Sequence, residues 1–135
     1  DGVRLEVLWP PPGASIPGND GSMVLRLSWG EVSFLLTGDI ESATEARLLA
    51  SDATLRATVL KVAHHGSATS STAAFVDAVD PQVSVISTGA ENRFGHPAPD
   101  VVQRLAATSD VYVTAGDGAV HFETDGRQLR VDTER

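Results

Sequence analysis

Apolar and polar positions alternate from Val3 to Trp9 (Val-Arg-Leu-Glu-Val-Leu-Trp), the period of a half-buried strand. Pro10-Pro-Pro-Gly13 ends it, and the Gly-, Pro-, Asn- and Ser-rich stretch from Ala14 to Gly21 reads as a loop. Met23 to Trp29 and Val32 to Leu36 predict two strands joined at Gly30-Glu31, a hairpin whose second arm runs straight into Thr37-Gly38-Asp39. The period then lengthens. Ala, Arg and Leu recur at helical spacing from Ser42 to Ala50, with Glu41 and Glu45 placed to favour the N-terminal end of a helix. Ala57 to Val62 is the next strand and stops at His64-His65-Gly66. Ser67 to Thr72 offers hydroxyls as helix caps, and the helix from Ala73 to Val79 is ended by Asp80-Pro81. Val83 to Ser87 is almost continuously apolar, as a strand covered on both faces should be. Gly89 to Pro99 is a loop, and Pro99 or Asp100 opens a helix through Ala107. Strands at Val111–Val113, Ala119–Glu123 and Leu129–Val131 close the chain, with turns at Gly116-Asp-Gly118 and Asp125-Gly126. The order β, ββ, α, β, α, β, α, β, β, β predicts an α/β sandwich layer, and neither an internal repeat nor a low-complexity segment is present.

Composition narrows this picture. At 135 residues and 41% hydrophobic content the chain supports one modest core, and with only 5% aromatics Val, Leu, Ile and Ala must supply most of it. The absence of cysteine excludes disulfides, thiolate zinc sites and cysteine nucleophiles. A net charge of -8 argues against a free-standing nucleic-acid binder, which usually carries a basic face. No apolar run approaches the roughly 20 residues of a membrane span. The opening Asp1-Gly2-Val3-Arg4 has neither a leader pattern nor an initiator Met, so a piece of a longer protein is expected.

The candidate chemistry sits where strands end. Asp39 follows a buried strand and a glycine; the pair is equally consistent with a plain turn and with a carboxylate projected into a cleft as a metal ligand. His64 and His65 follow the next strand. Adjacent side chains diverge, so one can be a ligand while its neighbour serves as acid, base or substrate contact; the alternative is two surface histidines in a turn. His96, within Asn92-Arg-Phe-Gly-His-Pro97, lies in a third strand-end loop, and functional residues of α/β layers gather at strand ends. His121 sits mid-strand and is expected to be structural. Ser67, Ser70, Ser71 and Thr72 stand at a helix start that could receive a phosphate, although capping accounts for most of them.

In order along the chain, Asn19–Leu27, Phe34-Leu-Leu-Thr-Gly-Asp39, Leu60-Lys-Val-Ala-His-His-Gly-Ser67 and Asn92–Pro97 resemble the C-terminal metallo-β-lactamase-like domain of ComEC-type competence proteins. The likeness runs from about Val3 to Val131, and Asp117–Val120 fits the closing strands. It implies a metallo-β-lactamase-type αββα sandwich (a mixed sheet with flanking helices), with residues 1–135 as its C-terminal part. It further implies two divalent ions, zinc or manganese, bridged by Asp39. His65 is favoured as a ligand, with His64 beside it and His96 lining the cleft as the catalytic groups. Asn19 or Asp20 falls near where many superfamily members carry another metal-binding histidine, and Asp20 is taken as the candidate.

The sequence departs from that pattern in one respect: no histidine precedes His64, so the superfamily's main motif, H-x-H-x-D-H or its aspartate variant, is absent. A hydrolytic metal needs about three protein ligands, so by itself the chain is expected to bind metal weakly and to show little or no activity. Half a sandwich should expose a sheet face and pair with the missing N-terminal half or with itself. The resemblance implies phosphodiester hydrolysis of DNA, cutting the strand that is not imported. The domain would belong to a bacterial plasma-membrane uptake protein, beside its transmembrane channel and on the extracytoplasmic side. Two alternatives accompany it: a non-catalytic structural or DNA-guiding module of the channel, and a phosphodiesterase for small substrates.

Overall fold

The computed structural model describes residues 2–135. Its main sheet has six strands in sequence order, β1 (Arg4–Trp9), β2 (Val24–Trp29), β3 (Val32–Leu36), β4 (Val59–Lys61), β5 (Val83–Ile86) and β6 (Asp110–Val113). The first three pair antiparallel, and β3 through β6 are mutually parallel, so the sheet is mixed. Between the parallel strands run α1 (Ser42–Leu49), α2 (Ala73–Val79) and α3 (Pro99–Ala106). After β6 come one helical turn, α4 (Thr114–Asp117), and a separate hairpin, β7 (Val120–Thr124) with β8 (Leu129–Thr133).

Each parallel strand splits its side chains between two cores. On one face Leu35, Leu60 and Ile86 meet Leu48 of α1, Phe75, Val76 and Val79 of α2, and Val101 and Leu105 of α3. On the other face Phe34, Val59, Val83, Val85 and Tyr112 meet Val120, Phe122, Leu129 and Val131 of the hairpin. The Phe34 and Phe122 rings pack edge to face at 5.5 Å. This double cover is why β5 reads as an almost continuous apolar run, broken only by the buried Ser84.

Element identity follows the sequence pattern closely, with four corrections. Strand β4 is shorter than Ala57–Val62, covering only Val59–Lys61. The turn α4 and 3₁₀ turns at Asn19–Gly21 and Ala63–Gly66 fall where the pattern suggests only loops, being too short to leave a period. Strand β1 alternates as expected, but the face carrying Leu5 and Val7 is the open one. The two-stranded hairpin covers β3 to β6 and stops short of β1. His121 does lie mid-strand in β7, on its exposed face rather than in a core.

Candidate functional site

Because β3, β4 and β5 are parallel neighbours, their C-terminal ends open on one edge of the sheet. The segments that follow them carry Asp39, His64-His65 and the loop with His96. The backbone joins these segments: His64 N–H donates to the Gly38 carbonyl at 3.0 Å, and Ala98 N–H donates to the Gly66 carbonyl at 2.9 Å. Gly66 makes the second approach feasible. Its φ is +79°, and a Cβ there would stand 2.7 Å from the Pro97 side chain.

His64 and His65 both have left-handed backbone angles, φ 48° and 55°. Each such non-glycine residue costs roughly 1–2 kcal/mol. Two in succession, held by the surrounding bonds, are the kind of strain that concentrates at functional sites. The effect is to throw the imidazoles in different directions, with ring centroids 6.4 Å apart.

His65 turns toward Asp39. Its Nδ1 lies 2.7 Å from the Ser87 carbonyl, which fixes Nδ1 as the protonated nitrogen, and its Nε2 lies 3.5 Å from Asp39 Oδ1. An imidazole anchored through one nitrogen to a backbone carbonyl, with the other nitrogen facing a carboxylate, has the outer-shell arrangement of metal-binding histidines. Both side chains are close to half exposed. The donor types suit zinc or manganese, but among the described residues no cluster of three such side chains occurs.

His64 turns the other way, into a polar group the sequence did not reveal. Its Nδ1 is 3.3 Å from Glu41 Oε1 and its Nε2 is 3.4 Å from Asn19 Nδ2. Thr69 Oγ1 donates to the same Glu41 oxygen at 3.2 Å. The amide of Asn19 can only donate to Nε2, so Nδ1 carries the proton and Glu41 accepts it. His96 adjoins this group, its ring 5.7 Å from that of His64.

Asp20, by contrast, faces the start of α1. Its Oδ1 accepts the Glu41 backbone N–H at 3.0 Å, and its carbonyl accepts from Trp9 Nε1 and Thr44 Oγ1. The Glu41 N–H, then Thr44, hold its carboxyl below the ordinary aspartate value. Of the pair weighed in the sequence, Asn19 is the one that reaches a histidine. Lys61, one strand over, has its ammonium pushed below the ordinary lysine range by burial, opposed by the Asp39 carboxylate.

The hydroxyl-rich start of α2 does not receive an anion. The carboxylate of Glu45, fully buried on α1, already accepts the backbone N–H groups of Ser71 and Thr72. Thr72 caps the helix through Phe75 N–H, and Ser70 Oγ donates to the Ile40 carbonyl. A negative charge fills the position a phosphate would take.

No family model matches the chain, and no solved structure matches it significantly. Among curated proteins, the chain is 33% identical to ComE operon protein 3 of Bacillus subtilis over 126 residues, which is 93% of this chain and 16% of that protein. It is 39% identical to competence protein ComA of Neisseria gonorrhoeae over 108 residues, 79% of this chain and 16% of that protein. Recombination protein 2 of Haemophilus influenzae is 33% identical over 138 residues, 99% of this chain and 17% of that protein. The chain thus spans about one sixth of the length of the relatives it matches.

Proposed function

We propose that this chain, similar to part of several competence proteins, forms the second half of a metallo-β-lactamase-type phosphodiesterase domain in a DNA-uptake protein. The observation that carries the reading is the His65–Asp39 pair at 3.5 Å, with His65 anchored by Ser87. Asp39 and His65 would hold divalent ions, zinc or manganese, and the remaining ligands would come from a segment outside these residues. Asp20 would join them only through the carboxylate oxygen not engaged by Glu41. Bound there, the ions would supply charge neutralisation at the phosphate and an activated water. His64 keeps its Nδ1 proton on Glu41 and holds a lone pair on Nε2, where it can take a proton from the attacking water once Asn19 gives way. His96 lines a cleft together with His65, from which it can hydrogen-bond the phosphate. The substrate would be DNA, with the domain attached to a membrane channel; among the described residues no helix is long and apolar enough to cross a membrane.

The test uses the intact protein with manganese or zinc. Asp39→Ala should lower metal affinity by at least about 10–100-fold, as seen when metal-site support is removed, and DNA cleavage should fall in parallel. Full cleavage by Asp39→Ala sinks the bridging role. A second reading, a non-catalytic DNA-guiding module, is favoured by the net charge of -8 and by a donor set of two. Absence of bound metal in the intact wild-type protein at saturating manganese or zinc decides for it.

A further inference from the structure

Phe94 is 81% exposed, more than any other large apolar side chain among the described residues, yet its ring is not loose. It stacks on His96 with centroids 5.9 Å apart and planes inclined by 18°. The loop beneath is braced by one side chain: Asn92 Nδ2 donates to the carbonyls of Gly89 and His96, and Asn92 Oδ1 accepts the His96 N–H at 2.9 Å. The braced loop thus displays a flat aromatic face to solvent beside the His64–His65 group.

The two rings form one wall of a cleft of about 340 Å³, lined also by His65, Ser87, Thr88 and Asn92. That volume suits a nucleotide-sized ligand and not a duplex. His65 belongs to both the cleft and the Asp39 pair, so a group bound in the cleft adjoins the position proposed for the phosphate. Arg93, exposed next to Phe94, makes no ion pair among the described residues. In a segment of net charge -8, stacking supplies a source of affinity for a nucleic-acid strand that does not depend on a basic surface.

We propose that the Phe94–His96 stack is a nucleobase platform, holding one base of a single-stranded nucleic acid whose backbone passes the Asp39–His65 pair. The proposal rests on the phosphodiester reading above. A stacked base offers its π-face whatever its identity, so the platform grips the strand without selecting sequence.

The test measures binding of the intact protein to a fluorescent single-stranded oligonucleotide and to an abasic strand of equal length. Phe94→Ala should weaken binding of the base-bearing strand about 5- to 150-fold, the range for losing one stacked base. It should leave the abasic strand within about twofold, and Phe94→Trp should restore the loss. Because Phe94 is exposed, neither variant disturbs the core. Equal binding of the base-bearing strand by wild type and Phe94→Ala, or equal weakening of both strands, overturns the platform alone. A wild type that binds neither strand overturns the platform together with the phosphodiester reading.

Discussion

Asp20 sets where Glu41 stands, and Glu41 in turn holds His64. The Glu41 N–H bonds the ionised Asp20 carboxylate, and that contact is what depresses its pKa from 3.8. A carboxyl depressed in the folded state contributes stability that is present above its unfolded pKa and lost as pH falls through the folded one. The wild type should therefore lose this contribution on acidification below about pH 4. Asp20→Asn keeps the shape and an acceptor without the charge. Its deficit in thermal midpoint relative to wild type should be largest near neutrality and shrink as the pH drops below about 4. Melting curves of both proteins from pH 7 to pH 2 check this, and a deficit constant across the series counts against it.

At the scale of elements, the hairpin β7–β8 depends on one glycine in another hairpin. Glu31 N–H donates to the Gly126 carbonyl at 2.7 Å, seating the β7–β8 turn on the β2–β3 turn. Gly30 has φ +58°, and a Cβ there would stand 2.2 Å from the Gly126 oxygen. Gly30→Ala should destabilise by at least about 1–2 kcal/mol from the backbone angle alone. The clash should also loosen the hairpin, exposing β7 amides to hydrogen exchange ahead of those in β4 and β5. Uniform protection across these strands would show that the contact is not what seats the hairpin. Strands and helices of this kind were legible because their periods survive in single segments, and Asp39, His64, His65 and His96 because each lies just past a strand. Glu41 and Glu45 read only as charges favouring a helix start. Their real partners, His64 and the backbone of Ser71 and Thr72, lie 23 to 27 residues away, and no local pattern encodes such pairings. The Ser87 carbonyl that orients His65 is invisible for a simpler reason, since every residue has one.

Over the whole molecule, the feature that stands out is apolar surface left without cover. Leu5 pairs with Leu27 and that with Phe34; Val7 pairs with Leu25 and that with Leu36. Directly paired residues share a face, so these six form two apolar rows across β1, β2 and β3. The hairpin covers Phe34, whereas Leu5 and Val7 remain 60% and 59% exposed. Strand β1 also borders the sheet, with one edge unpaired. In the proposed sandwich a companion half would lie on this face, and burial of Leu5 and Val7 would contribute about 1.5–3 kcal/mol each. The double substitution Leu5→Glu and Val7→Glu separates two situations. In the 135-residue chain alone it should leave the thermal midpoint nearly unchanged and reduce self-association in sedimentation, because both side chains already meet water. In the intact protein it should destabilise by several kcal/mol, since each glutamate would be forced between packed layers. An intact protein as stable with the two glutamates as without them would show that nothing packs on this face, and the second-half reading of the fold would fall with it.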